Sequence, residues 1–134
     1  MSSILTTIGL AFIILAGLIH VLIFALESLL WRSRRTWRQF GIASEADAEV
    51  AAPWAFNQGF YNLFLAVGAI AGAIGGIACG FGGWGWVAVF SALCMIGAAV
   101  VLIASSRGKM LRGALIQGAA PLIGAVLVGV GLAG

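Results

Sequence analysis

The sequence predicts an all-α integral membrane protein: an up-and-down bundle of four helices, with both termini outside and two basic loops in the cytoplasm. Three observations lead there. Only 8% of the residues are charged and 63% are hydrophobic, whereas soluble domains carry about 25% charged residues. The apolar residues gather into four segments, each reaching the ~20 residues a helix needs to cross ~30 Å of hydrocarbon. All seven Lys and Arg residues fall in two of the three connections between those segments. Helices are the expected spanning form, because a segment in lipid must satisfy its own backbone groups. A chain of 134 residues is read as one membrane domain, 1–134, with no separate soluble domain.

The first span is expected over residues 4–31. It is the longest of the four, so it should tilt or run past the interface. Its start, "MSSILTTIGL", lacks a positive n-region, and the apolar run is too long for an h-region, so it is expected to stay as an anchor. Residues 32–53, "RSRRTWRQFGIASEADAEVAAP", form a polar loop. A short surface helix fits within it, capped by Ser44, with Glu45, Asp47 and Glu49 near its N-terminus. Pro53 is expected at the start of the second span, residues 54–78. "CGFGG" at 79–83 reads as a tight turn into the third span, 84–104. "SSRGKMLR" at 105–112 is a basic loop before the fourth, 113–133.

Arg32, Arg34, Arg35 and Arg38 follow the first span, and Arg107, Lys109 and Arg112 follow the third. Alternating helices put both loops on one side, and the positive-inside rule makes that side cytoplasmic. This placement accounts for the net charge of +3 without nucleic acid as a partner. The partner expected from composition is the lipid bilayer. Trp31, Trp37, Trp54, Trp84 and Trp86 flank the two boundaries, where tryptophan is common. Cys79 and Cys94 form no CxxC and are read as small packing residues.

The unusual stretch is "AFNQGFYNLFLA", residues 55–66. At 100° per residue, Asn57, Gln58 and Tyr61 share an arc of about 100°, and Asn62 widens it to about 140°. Gly68, Gly72, Gly76 and Gly80 continue that face, which suits close helix packing or a homo-oligomer contact. The polar part is expected to face protein or a cavity. In the first span His20 and Glu27, seven residues apart, share a face about 10 Å apart along the axis. Glu27 lies one turn inside Trp31, at the depth of Asn57 to Tyr61. Gln117 in the fourth span is placed about one turn in from the same side, and Pro121 frees its carbonyl. Ser91 and Cys94 lie deeper. An ionisable residue inside a span points to function, although Glu27 snorkelling or pairing with Arg34 or Arg35 is the plainer alternative. For the Asn57–Asn62 set the plainer alternative is helix-to-helix hydrogen bonding, and for His20 it is a satisfied core histidine.

"LIH…ALESLLW", "NQGFYNLFLA" and "QGAAPLIG" together resemble the uncharacterised family of small four-span membrane proteins called domain of unknown function 1304. The resemblance covers nearly the whole chain. It implies a four-helix membrane domain, mostly bacterial and hence in the cytoplasmic (inner) membrane, and no established reaction. It also implies that His20, Glu27, Asn57, Gln58, Tyr61, Asn62 and Gln117 form one site.

Three functions fit these residues. In the first, the protein binds or transports a small, partly apolar solute, with proton and solute competing at Glu27. Small multidrug transporters offer an analogy of design only. In the second, it is a membrane enzyme of isomerase, epoxide-opening or cyclase type, with Glu27 as general acid and Tyr61 assisting on a lipophilic substrate. In the third, it is a structural subunit. No cofactor is expected. One histidine and one carboxylate do not make a metal site, which takes three or more protein ligands. "GFGGWG" at 80–85 follows no strand, so it fails as a phosphate-binding loop.

Overall fold

The computed structural model describes residues 2–134. Helix α1 spans Ser2–Phe24 and passes directly into a π-helical turn, Ala25–Leu29; α2 is a short helix, Arg34–Gln39. Helices α3 (Glu45–Ala78), α4 (Gly82–Ser105) and α5 (Leu111–Ala133) complete the chain. Among the described residues there is no strand. Four helices are long and apolar enough to cross a membrane: Ser3–Leu29, α3, α4 and α5. These are the marks of a multi-pass membrane protein.

The four long helices pack in a ring in which α1 touches α3 and α5, and α4 touches the same two. Opposed residues show that each neighbouring pair is antiparallel. On the α1–α5 seam Gly9 lies against Gly124 and Val128, and Gly124 against Ile13. On the α1–α3 seam Gly76 meets Leu10, while Gly59 meets Phe24, Glu27 and Ser28. The common centre holds Leu10, Ile13, Met95 and Val128 among alanines from all four helices. Small side chains at these seams let the backbones approach, and that approach supplies the packing that holds helices together in lipid. A Cβ on Gly72 would lie 2.6 Å from the Ala88 nitrogen, so α3 and α4 are in backbone contact there. Gly68, Gly72 and Gly76 are thus engaged inside the bundle, while Gly80 turns the chain with φ +89.

Three local features differ from the sequence expectation. The surface helix capped by Ser44 is continuous with the second span, which makes α3 34 residues long. The Ser44 hydroxyl oxygen accepts from the Asp47 N–H at 3.1 Å and its proton goes to the Asp47 carboxylate at 2.6 Å. At 1.5 Å per residue α3 is about 51 Å long, well beyond ~30 Å of hydrocarbon. It thus has turns to spare at its polar N-terminal end. Pro53 accordingly stands inside the helix instead of at its start. It denies a bond to the Glu49 carbonyl, which is tolerable because both residues are exposed near the start of the helix.

Trp31 and Trp37 are buried against protein instead of exposed to lipid. With Ala48 and Ala55 they build a second small core, against which Phe40 and Ile42 pack. The Trp31 indole N–H donates to the Ala48 carbonyl at 2.9 Å. That core clamps the segment after the first span onto the base of α3. Trp54, Trp84 and Trp86 remain exposed. Both cysteines are free thiols, Cys94 half-buried on α4 and Cys79 exposed at the end of α3.

Candidate functional site

The α1–α3 seam carries a buried polar pair near its basic end. Glu27 is 8% exposed and Asn62 is 7% exposed. The Asn62 amide donates to Glu27 Oε2 at 2.8 Å and also to the Gln58 carbonyl at 3.2 Å. Both hydrogens of that amide are therefore used. No second hydrogen bond reaches Glu27 among the described residues, and the Asn62 side-chain oxygen accepts none. The pair thus offers two free acceptors: Glu27 Oε1 and Asn62 Oδ1.

Local structure explains why Glu27 points inward. It sits in the π-helical turn, whose register is shown by the Leu30 N–H bonding to the Ala25 carbonyl at 2.9 Å. Such turns wind more slowly than an α-helix and recur at functional sites. The turn redirects the end of the first span towards α3. Gly59 lets α3 come close: a Cβ there would strike the Ser28 hydroxyl and lie 3.2 Å from both Glu27 Cβ and the Phe24 carbonyl. The Ser28 hydroxyl donates to the Phe56 carbonyl at 2.9 Å, tying the turn to α3 on the other side of Glu27. Ser28 and Gly59 escaped the sequence reading. Their signal was present, a hydroxyl beside the membrane carboxylate and a glycine within a run of amides.

The remaining expected residues lie apart from this pair. Asn57, Gln58 and Tyr61 are exposed, with Tyr61 at 57%. They continue the face of α3 that carries Gly68 and Gly72, which is the face turned to α4. Gly68 packs on Ser91, but two turns towards the basic end the residues in register, Tyr61 and Ala98, are both exposed. At that level α4 stays on α5, where a Cβ on Gly118 would lie 2.8 Å from Ala99 Cβ. The three polar side chains therefore stand exposed on that face. They do not turn to Glu27. The helix turns that separate Asn57 and Tyr61 from Asn62 direct them to the other seam.

His20 is deeper and 1% exposed. Its Nδ1–H donates to the Ala16 carbonyl at 2.9 Å, which leaves Nε2 without a partner among the described residues. Extending the α1–α5 register from the Gly9–Val128 and Ile13–Gly124 contacts sets Gln117 opposite His20. Gln117 thus belongs to the depth of His20, about 10 Å further in than Glu27, and is half-buried. Ser91 bonds only its own helix, at the Val87 carbonyl. Among the described residues no three His, Cys, Asp or Glu side chains gather where a metal ion would bind.

Chemically, the bundle holds one carboxyl group and one amide on the α1–α3 seam and a ring nitrogen deeper in, with their unused atoms all acceptors when the carboxyl is ionised. Hydrogen-bond donors on a ligand would meet them. No other proton-transferring side chain touches Glu27 among the described residues.

The chain matches the family described as Protein of unknown function (DUF1304) over residues 14–129. It belongs to that family. No curated protein and no solved structure matches it.

Proposed function

We propose that this protein binds a small, partly apolar solute at the Glu27–Asn62 pair and transports it across the bilayer. The observation that carries this reading is the single bond of Glu27: a carboxyl group buried in a span, with one amide donor and a free oxygen. Groups of this kind in spans mark substrate and proton pathways. A solute bearing a donor and a proton would compete for Oε1, which couples their movement. Asn57, Gln58 and Tyr61 are exposed at the basic end of the same helix, the end from which a solute would reach the pair. We read that end as cytoplasmic on the positive-inside rule, and the resemblance to a mostly bacterial family supports the bacterial inner membrane as its place. Two readings compete. An enzyme using Glu27 as general acid is less well supported, because the assisting Tyr61 stands on the other seam. A structural subunit needs no free acceptors.

Proteoliposomes test the proposal. Wild-type protein with an internal pH dye should show proton movement on addition of amine- or hydroxyl-bearing solutes from a broad panel, and Glu27→Gln should abolish it. Chemical conversion of a panel member without flux would favour the enzyme. Equal behaviour of both proteins, with only assembly altered, would favour the structural subunit.

A further inference from the structure

A second candidate site lies outside the bundle, where the segment after the first span meets the base of α3. Two adjoining cavities of about 320 and 410 Å³ share Arg32, Trp37 and Glu45. The smaller adds Arg34 and Ser44, and the larger adds Glu49 with Trp31, Ala48 and Ala52. Each volume lies at the small end of the ~300–1,000 Å³ typical of ligand sites. The floor is held firm. Trp31 and Trp37 are buried in the second core, Trp31 is bonded to Ala48, and its ring lies 5.5 Å from that of Phe40.

The charges of this cleft are unpaired. Arg32 and Arg34 line it from the segment after the first span and Glu45 and Glu49 from α3, yet none forms an ion pair among the described residues. A purely basic patch would suit any anionic lipid. This cleft instead offers separate positions for an anion and a cation. Its level is that of the membrane surface: Trp31 follows the first span and Ala52 stands two residues before the exposed Trp54.

We propose that the cleft binds the phosphoethanolamine headgroup of a phospholipid from the adjoining leaflet. Arg32 and Arg34 hold the phosphodiester, since guanidinium groups bind phosphate oxygens in pairs. Glu45 and Glu49 accept from the ammonium. The glycerol end passes over Ala48, Ala52 and Trp31 towards the bilayer. A choline headgroup has no N–H to donate, and a glycerol headgroup brings no cation to the glutamates. The expected order is therefore phosphatidylethanolamine, then phosphatidylcholine, then phosphatidylglycerol.

The test uses the full chain in nanodiscs of the three lipids in equal parts, followed by mild detergent exchange and quantification of retained lipid. Phosphatidylethanolamine should be retained roughly tenfold over phosphatidylglycerol, a difference of about 1.4 kcal/mol. Glu45→Gln with Glu49→Gln should bring that ratio to about one, and Arg32→Gln with Arg34→Gln should lower retention of all three. These four side chains are exposed, so melting temperature should hold. Equal or greater retention of phosphatidylglycerol by the wild type would overturn the proposal, and that comparison needs no variant. An unchanged ratio in the glutamate pair would overturn it as well. Displacement of the lipid by an equal concentration of glycerophosphoethanolamine would transfer the site to a soluble ligand and refute the lipid assignment.

Discussion

Replacing Gly59 by Ala should break the packing that holds Glu27 against α3, through a single methyl group. The new Cβ would collide with the Ser28 hydroxyl and press on Glu27 Cβ and the Phe24 carbonyl at 3.2 Å. The hydroxyl would have to rotate away and lose its 2.9 Å bond to Phe56. Overpacking of this kind costs about 1–3 kcal/mol, and an interhelical hydrogen bond in a membrane averages ~0.6 kcal/mol. Alanine returns about 1 kcal/mol of helix propensity. The net is a loss of about 1–2 kcal/mol, or a few degrees in melting temperature for a domain of this size. Ser28→Ala alone should cost about 0.6 kcal/mol. Adding Ser28→Ala to Gly59→Ala removes the collision and should recover about 1 kcal/mol. Reversible unfolding in mixed micelles, run on the wild type, both single variants and the double, measures each corner of this cycle. A neutral or stabilising Gly59→Ala, or a double variant no better than Gly59→Ala, would refute the tight seam at Glu27.

Other outcomes follow from the same geometry. Asn62→Leu leaves Glu27 without a protein donor and should cost about 1–2 kcal/mol; a double-mutant cycle with Glu27→Leu that gives no coupling contradicts the 2.8 Å bond. His20→Phe forfeits only the bond to Ala16, because Nε2 has no partner to lose, so stability should change by less than about 1 kcal/mol. A loss above about 2 kcal/mol would mean that something outside the described residues satisfies Nε2. In a Cys94→Ala background, an impermeant maleimide applied to intact cells should label exposed Cys79, and should reach Lys109→Cys only after permeabilisation. The reverse pattern would place the basic loops outside.

Much of the bundle was legible because lipid allows few solutions: four long apolar runs must be helices, and short links between them make neighbours antiparallel. The glycine stripe of α3 was legible as a packing face for the same reason. What sequence did not disclose were the choices that packing makes locally. Pro53 reads as a helix start, but the exposed first turns of α3 let the helix run through it. Trp31 and Trp37 have the composition of boundary residues, and only the fold of residues 32–52 buries them. Glu27 was legible as an uncommon acid in a span, but its π-helical turn has no sequence marker. Four polar side chains in one stretch of α3 looked like one site. Asn62 alone meets Glu27, because its position on the helix belongs to the α1 seam while Asn57, Gln58 and Tyr61 belong to the α4 seam.

The central claim is that the Glu27–Asn62 pair is a ligand site, and native mass spectrometry of gently solubilised protein tests it most directly. Wild type, Glu27→Gln and Asn62→Leu would be released side by side from the same membranes. The account predicts a small-molecule adduct on the wild type that is lost from Glu27→Gln and weakened in Asn62→Leu, with the protein stoichiometry unchanged. An adduct of the same mass and abundance on all three would contradict the claim. So would loss of assembly in Glu27→Gln alone, which would make the pair a structural clasp.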